Sequence, residues 1–173
     1  GSGTTWYNVG LLDDGVGTYV NLTHAPVWNS AGYFDFDGAS DYASTAAGLD
    51  FDTNWTVEMW LNADSWTYPS SACGNKRVGW WEQGQSYTNV IGLESHASGL
   101  YFLVCYGGVG CTDATMYSES VLNKWLHVVG SWEDTSYFRT YVNGVAGNTV
   151  DVSSKDMTIT GNMGICDSVK HCG

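Results

Sequence analysis

Apolar and polar residues alternate most regularly between Trp125 and Gly144, and this alternation predicts two consecutive antiparallel strands. In the first strand, the period of two places Leu126 and Val128 on one face and Trp125 on the other. The pair Asn143-Gly144 ends the segment, and both residues readily take the positive φ angles of a tight hairpin turn. The segment therefore predicts sheet and not helix.

A further strand with one apolar face is predicted at Trp55–Leu61, where Val57 and Met59 alternate with Thr56 and Glu58. An aromatic side chain buries roughly 150–250 Å², so the large aromatic residues of such strands are expected in the core. The aromatic residues expected there are Trp60, Trp125, Trp132, Phe36 and Phe138.

Two stretches do not show a strand pattern. Residues 1–30 are expected to be rich in loops, because Asp13-Asp14-Gly15 and Gly17 interrupt any regular element, although Thr18–Leu22 could form a short strand. The stretch from Ala63 to Gln85 is polar and rich in aromatic residues, and it predicts a long loop with at most short strands. Long loops within compact proteins are usually functional, so this one is a candidate for binding.

The composition favours short strands joined by turns, since it includes 22 Gly, 9 Trp and 11 Tyr but only 2 Pro. With 173 residues, the chain is expected to form one domain, 1–173, with an all-β antiparallel sandwich fold. The net charge of −12, with only six Lys and Arg, argues against a nucleic-acid partner. No apolar run reaches the roughly 18 residues of a membrane-spanning helix, so membrane insertion is not expected.

Five cysteines are many for a cytosolic protein of this size, and they favour an extracellular location. Two pairs share the same spacing, and we interpret Cys105–Cys111 and Cys166–Cys172 as local disulfide bonds. Cys73 is then a free thiol or is bonded to another chain. The alternatives are five buried thiols or, without any Cys-x-x-Cys pair, a zinc site. Candidate N-glycosylation sequons begin at Asn21 and Asn54.

Several segments together resemble the laminin-G-like and pentraxin-like domains, which are concanavalin A-like jelly rolls common in bacterial and phage surface proteins. These segments are Gly3-Thr-Thr-Trp-Tyr-Asn8, Phe36-Asp-Gly-Ala-Ser-Asp-Tyr42, Trp55-Thr-Val-Glu-Met-Trp60, Lys124-Trp-Leu-His-Val-Val129 and Tyr137-Phe-Arg-Thr-Tyr-Val-Asn-Gly144. The resemblance implies a two-sheet jelly roll on the surface of a cell or a virion. It also implies that His127 is a packed, hydrogen-bonded residue of a core strand.

The resemblance further implies a final long strand that pairs beside the first strand. In this sequence the segment after Gly164 contains Cys166–Cys172 and stops at Gly173. We therefore expect a sandwich without its own final strand, which is truncated, closes differently or receives a strand from a neighbouring chain. The expected partners are accordingly other copies of the chain or neighbouring subunits.

Glycans are the other expected partners, because exposed aromatic side chains stack on sugar rings. The candidate glycan-binding residues are Trp66, Tyr68, Trp80, Trp81 and Tyr87. No cofactor is required, and calcium is the candidate ion, since the family often binds it through carboxylates and carbonyl groups at the rim of the sandwich. The candidate ligands are Asp37, Asp41, Asp113, Glu133 and Asp134, of which the first two also suit a turn.

Catalysis is not expected. A jelly-roll glycoside hydrolase needs a pair of suitably spaced carboxylates, and the Glu-x-Asp-x-x-Glu motif of one large glucanase group is absent after Glu58. We expect a non-catalytic extracellular structural or adhesive module, which is a subunit or domain of a surface fibre or virion completed by a neighbouring chain. The alternatives are a calcium-assisted, lectin-like recognition module and a jelly-roll glycoside hydrolase.

Overall fold

The structure is a computed structural model and contains fourteen β-strands in the residues that it describes. These residues are 5–7, 19–23, 26–37, 41–45, 54–64, 78–84, 90–96, 99–106, 110–117, 122–133, 136–153, 159 and 161–166. The strands are β1 (Thr5–Tyr7), β2 (Tyr19–Thr23), β3 (Val27–Asn29), β4 (Tyr33–Asp35), β5 (Tyr42–Thr45), β6 (Trp55–Asn62), β7 (Val78–Gly84), β8 (Val90–His96), β9 (Gly99–Tyr106), β10 (Gly110–Tyr117), β11 (Trp125–Glu133), β12 (Tyr137–Val142), β13 (Val145–Asp151) and β14 (Met163–Ile165).

The strands form a β-sandwich of two antiparallel sheets. The larger sheet has eight strands in the order β1-β2-β5-β14-β7-β8-β9-β10, and the smaller sheet has four in the order β13-β12-β11-β6. Strands β3 and β4 form a separate hairpin. The predicted all-β antiparallel sandwich is confirmed.

The main core lies between the two sheets and is built from alternate residues of their strands. Its central aromatic residue is Phe102 of β9, whose ring centroid lies 4.8 Å from that of Phe138 and 6.0 Å from that of Trp81. The predicted core residues Trp132 and Phe138 are both buried. Alternation therefore identifies the inward faces of β11 and β12 correctly.

The β12–β13 hairpin has the turn that its sequence predicts. Asn143 and Gly144 take φ angles of 51° and 77°, as a type I′ turn requires. The Asn143 side chain also fastens the turn to β11, because its Oδ1 accepts a hydrogen bond of 2.9 Å from the backbone N–H of His127. The backbone N–H of Asn143 donates in return to the carbonyl of His127 at 2.8 Å.

Two other aromatic residues predicted to be buried are exposed instead. Trp60 is 65% exposed and Trp125 is 44% exposed, so the core prediction is wrong for both. The reason is the alternation of side chains along a strand. Trp60 points to the same face of β6 as Glu58, and Trp125 points to the face of β11 opposite to that of the buried Leu126. Their bulk suggested burial, but the alternation places them outward.

The stretches predicted to be rich in loops contain more strands than expected, although the short strand predicted near Thr18–Leu22 corresponds to β2. Residues 1–30 include β1, β2 and β3, and the stretch from Ala63 to Gln85 includes all of β7, a central strand of the larger sheet. Trp81 of β7 packs in the core. The strand pattern is hidden there because the neighbouring Glu82 and Gln83 are polar and yet buried.

The last strand in the described part of the chain, β14, lies inside the larger sheet. Its residue Gly164 pairs with Ser44 of β5 on one side and with Glu82 of β7 on the other. The chain thus supplies this central strand itself. The family resemblance implies a further strand beside β1, and the expectation that the chain lacks this strand stays a prediction.

Candidate functional site

Two exposed tryptophans of the smaller sheet, Trp60 and Trp125, lie close together at one end of its outward face. We define the aromatic patch as Tyr33, Trp60, Trp125 and His127. The Trp60 and His127 rings are stacked, with centroids 5.0 Å apart and planes inclined by 28°. The Trp125 ring meets Tyr33 edge to face at 5.2 Å. The patch therefore presents two exposed indole rings, each held by a second ring.

Strand register brings the members of the patch together. Trp60 of β6 lies directly opposite His127 of β11, and Trp125 lies two residues before His127 on the same face. Tyr33 comes from β4 and joins the patch from the β3–β4 hairpin. A rigid two-stranded ladder thus fixes three of the four side chains.

Polar groups border the patch. The carboxylate of Glu58 approaches His127, with 3.3 Å between Oε2 and Nε2, and its side chain is 69% exposed. Asn62 lies opposite Trp125 in the register and is exposed, and Lys124 is exposed beside Trp125. An apolar platform edged by a few hydrogen-bonding groups is typical of a surface that binds a small polar ligand.

Such a patch can stack against the apolar face of a sugar ring while the bordering groups bind hydroxyls. The patch was not predicted from the sequence, because its bulky tryptophans were expected in the core. The signal that would have found it is the alternation itself, which groups Trp60 with Thr56 and Glu58.

Two of the five predicted glycan-binding residues, Trp80 and Trp81, lie in the described structure, and the site as a whole stays a prediction. Trp81 is 3% exposed and belongs to the core, so its prediction as a loop residue is wrong. Trp80 lies on β7, is partly buried, and its indole N–H donates to Ser95 Oγ at 2.9 Å. The remaining candidates lie outside the described residues: Trp66, Tyr68 and Tyr87.

Two of the candidate calcium ligands are joined by hydrogen bonds. The backbone N–H of Asp37 donates to Asp41 Oδ2 at 3.1 Å, and that of Asp41 donates to Asp37 Oδ1 at 2.9 Å. Each carboxylate thus satisfies a backbone donor of the other residue. These hydrogen bonds are compatible with the turn alternative, while residues 38–40 lie outside the described residues and the choice between turn and metal site stays a prediction.

The other candidate calcium ligands lie apart from this turn. Glu133 forms an ion pair with Arg139, with Oε2 and Nη1 2.7 Å apart. Asp113 lies on β10 with a side chain outside the description, and Asp134 is outside the described residues. Within the described ranges, no group of three or more His, Cys, Asp or Glu side chains is placed to hold a metal ion. Calcium binding stays a prediction.

The cysteines divide into two cases. Cys105 is buried and disulfide-bonded, and the register sets Cys111 of β10 directly opposite it. Directly opposite residues of an antiparallel pair have the Cα separation that a disulfide needs. The Cys111 side chain is outside the described part, so the pairing itself stays a prediction.

Cys166 carries a free thiol, so the predicted Cys166–Cys172 bond is wrong. Its backbone N–H donates to the carbonyl of Trp80 at 3.2 Å, which holds the residue against β7. Burial raises the pKa of the Cys166 thiol to about 12, and the negative charge of Asp41 adds to the shift. A thiol that stays protonated is a poor nucleophile, so we expect Cys166 to react slowly at neutral pH. Cys172 and Cys73 lie outside the described residues.

Two buried carboxylates lie on the face of the larger sheet that points away from the main core. Glu82 pairs with Gly92 and Glu94 pairs with Gly79, so the two glutamates are diagonal neighbours on β7 and β8. The carboxyl group of Glu82 occupies the space that a side chain on Gly79 would need. Each glutamate is only 1% exposed. Solvent, and therefore a sugar substrate, does not reach them.

An open depression of about 380 Å³ lies at the other end of the smaller sheet, where Asn54, Thr56, Ser131 and Arg139 form part of its wall. Thr56 Oγ1 and Ser131 Oγ are hydrogen-bonded at 3.1 Å. Asn54 and Thr56, the ends of one predicted sequon, are both exposed. The other sequon asparagine, Asn21, lies on β2, and its side chain is not described. Glycosylation at either site stays a prediction.

Comparison with known proteins places this sandwich in a family. A family model described as the concanavalin A-like lectin/glucanases superfamily, in its laminin G form, matches residues 37–165. The chain belongs to this superfamily, as the sequence resemblance predicted. No curated protein sequence matches it significantly.

Solved structures with the same fold include two receptor-binding domains of botulinum neurotoxins. That of serotype D is 13% identical with a TM-score of 0.71, and the match covers 87% of this chain and 40% of the other. That of the C/D mosaic serotype is 14% identical with a TM-score of 0.70, over 87% and 38% of the two chains. Domains LG4–5 of the mouse laminin alpha1 chain are 15% identical with a TM-score of 0.56, over 72% and 31%. This chain therefore spans about two fifths or less of these structures, and the likeness is one of fold.

None of the described segments is a helix long and apolar enough to cross a membrane.

Proposed function

We propose that this chain is a non-catalytic, exported recognition module that binds neutral carbohydrate through the aromatic patch. The observation that carries the proposal is the exposure of Trp60 and Trp125 on a rigid sheet face, each held by a second ring. Large exposed apolar side chains with a polar border commonly mark binding surfaces. Membership of a superfamily that includes lectins, and structural neighbours that are receptor-binding domains, support the same class of function.

A neutral ligand fits the charges near the patch. The chain has a net charge of −12, and the exposed Glu58 carboxylate lies beside Trp60 and His127. An anionic sugar would meet an unfavourable potential there. Sugars that present an apolar ring face to the indoles and hydroxyls to Glu58 and Asn62 avoid this penalty.

The positions of the glutamates in the described residues support the proposed absence of catalysis. Hydrolysis of a glycosidic bond needs two carboxyl groups in contact with the substrate. Glu82 and Glu94 lie next to each other but are shielded, Glu133 is paired with Arg139, and Glu58 lies beside His127. Among the described residues, the accessible glutamates thus lie on separate parts of the smaller sheet.

A second candidate function is that of a structural or adhesive subunit of a surface fibre or virion. The observation that favours it is β6, a long, regular strand that is outermost in the smaller sheet among the described residues. Exposed strand borders pair readily with other chains. In either role we place the protein outside the cell.

An array of immobilised neutral, sialylated and sulfated glycans tests the recognition proposal. We expect the chain to bind neutral glycans, and Trp60→Ala to weaken this binding at least ten-fold without lowering the melting temperature. The matched control is Tyr137→Ala, which removes another exposed aromatic residue of the same sheet outside the patch. Parallel arrays with calcium and with EDTA show whether the metal contributes.

Three results would contradict the proposal: no binding to any glycan, preference for the anionic glycans, or equal losses in Trp60→Ala and Tyr137→Ala. The first result, together with an intact fold by circular dichroism, would leave the structural role as the better candidate.

A further inference from the structure

The aromatic patch and the open depression lie on one face of the smaller sheet. Trp60 belongs to the patch and Thr56 to the depression, and both point outward from β6. Eight consecutive residue pairs join β6 to β11 without a register shift, so the two sites lie in line along the same two strands. Trp60 and Thr56 are about 13 Å apart at 3.3 Å per residue. A ligand that contacts both sites is therefore elongated.

The surface between the two sites is a row of directly opposite residues. These are Glu58, Val129 and Tyr141, which belong to β6, β11 and β12. Val129 and Tyr141 are half-buried, whereas the side chain of Glu58 is 69% exposed. An apolar floor with a carboxylate beside it suits a sugar ring, which has apolar faces and polar hydroxyls. The row thus continues the character of the patch towards the depression.

The depression supplies a second set of hydrogen-bonding groups. Thr56 Oγ1 and Ser131 Oγ are 3.1 Å apart, and each hydroxyl has one donor and two acceptor positions, so their mutual bond leaves capacity for a ligand. Arg139 Nη1 donates to Glu133 Oε2 at 2.7 Å, which holds the guanidinium in place and uses one of its five N–H donors. The volume of about 380 Å³ lies within the range of about 300–1,000 Å³ that is typical of small-molecule sites.

The ion pair in the depression favours a neutral ligand. The Glu133 carboxylate balances the Arg139 guanidinium, so the pair offers directed hydrogen bonds without a net charge. An anionic sugar would gain little attraction there and would still meet the net charge of −12 of the chain. A neutral sugar avoids this repulsion, and its hydroxyls can accept from Arg139 and exchange hydrogen bonds with Thr56 and Ser131.

We propose that the depression is a second subsite for the sugar ligand, and that the chain recognises an internal segment of a linear neutral glycan lying along β6 and β11. The aromatic patch stacks on one sugar unit, the row of Glu58, Val129 and Tyr141 supports the next units, and the depression binds hydroxyls further along. Once the patch has bound, the second contact is intramolecular, so the affinity rises with glycan length. This inference rests on the proposed sugar binding at the patch and specifies the length and shape of the ligand.

Calorimetric titration with oligosaccharides of two lengths tests the proposal. The probes are linear neutral disaccharides and hexasaccharides of glucose, mannose and galactose, together with a sulfated hexasaccharide. The chain is produced in a host that does not glycosylate asparagine, because Asn54 lines the depression. We expect at least one neutral hexasaccharide to bind about ten-fold or more tightly than its disaccharide.

Two variants remove the second subsite and leave the patch intact. Arg139→Ala deletes the guanidinium, and Thr56→Val deletes a hydroxyl while keeping the branched shape. Each should weaken hexasaccharide binding about five-fold, the effect of one lost hydrogen bond, and leave disaccharide binding unchanged. The matched control is Thr149→Val, the same change at an exposed residue opposite Arg139 on β13 and outside the depression. Trp60→Ala should weaken binding of both lengths, and melting temperatures show that each variant is folded.

The outcomes separate this inference from the recognition proposal. Equal affinity for the two lengths, with both lost in Trp60→Ala, would overturn the second subsite and leave recognition at the patch intact. The same holds if Arg139→Ala and Thr56→Val bind the hexasaccharide as the wild type does, or if Thr149→Val loses as much as Thr56→Val. Preference for the sulfated hexasaccharide that Arg139→Ala abolishes would overturn the neutral subsite in favour of an anion site. No binding of any probe by the folded wild type would overturn both proposals.

Discussion

The ring of Phe102, in the larger sheet, lies directly over the backbone of Gly130, in the smaller sheet. A methyl group at Gly130 would collide with the far end of this ring. Phe102 cannot move aside easily, because the rings of Trp55, Trp81 and Phe138 surround it. The absence of a side chain at Gly130 thus allows the two sheets to interlock at this point.

Gly130→Ala is expected to destabilise the chain by about 1–3 kcal/mol, the typical cost of overpacking a core. Urea unfolding followed by tryptophan fluorescence measures the change. The double variant Gly130→Ala/Phe102→Leu should lose less stability than the sum of its single changes, because the smaller side chain relieves the collision. Strict additivity would show that the two residues do not interact.

The turn between Asp37 and Asp41 is expected to hold without metal. Asp41→Ala removes the acceptor for the Asp37 N–H, and we expect it to lower the free energy of unfolding by about 1–2 kcal/mol. Asp41→Asn retains an acceptor oxygen and should lose less. Differential scanning calorimetry should show no change in melting temperature on adding EDTA. A large calcium-dependent rise that Asp41→Ala abolishes would instead assign these residues to a calcium site.

Cys166 is expected to make stability fall at alkaline pH. Its folded pKa of about 12 lies above that of an exposed thiol, so the native state holds the proton more tightly. This stabilisation is fully present below the pKa of the thiol in the unfolded state, and it is lost as the pH rises through the pKa in the folded state. The free energy of unfolding then falls by at most about 1.4 kcal/mol per pH unit. Urea unfolding of the wild type and Cys166→Ala between pH 7 and pH 11 measures this, since other titrating groups are common to both proteins.

We expect the stability difference between wild type and Cys166→Ala to shrink as pH rises. A constant difference would contradict the raised pKa. Alkylation with iodoacetamide gives an independent check, because the native thiol should react at neutral pH far more slowly than it does in urea. Recovery of Cys166 in a disulfide-linked peptide would contradict the free thiol.

The buried pair Glu82 and Glu94 should not cleave sugars. We expect no release of reducing ends from soluble β-glucans or other polysaccharides by the wild type, because neither carboxyl group is accessible. The variants Glu82→Gln and Glu94→Gln serve as controls for contaminating enzymes. Hydrolysis that both substitutions abolish, in chains that remain folded, would establish catalysis.

Alternation along the chain was sufficient to predict the strands whose two faces differ in polarity. Leu126, Val128 and Phe138 point inward as expected, and the Asn143-Gly144 turn follows from local chemistry alone. Strand β7 escaped prediction, because a central strand with buried Glu82 and Gln83 shows no apolar face in its sequence. Local patterns do not reveal such burial, which depends on the strands that surround β7.

The aromatic patch was within reach of the same reasoning. The size of Trp60 and Trp125 suggested that both are buried. The alternation of side chains along their strands indicated that both are exposed, as they are in the structure. The contact between Trp125 and Tyr33 was not predictable, since no local pattern relates the β3–β4 hairpin to β11. Candidate sites in β-sandwiches are therefore better sought among aromatic residues that share a face with charged ones.

The position of β14 determines when the larger sheet can form during synthesis. Ile165 of β14 pairs with Ala43 of β5 on one side and with Trp81 of β7 on the other. In the described sheet, β14 therefore joins β5 to β7, and it is synthesised more than eighty residues after the start of either strand. Loop closure over such distances slows folding. Until residues 163–165 leave the ribosome, β1, β2 and β5 are separate from the rest of the sheet, and chaperones have that interval in which to protect their exposed borders.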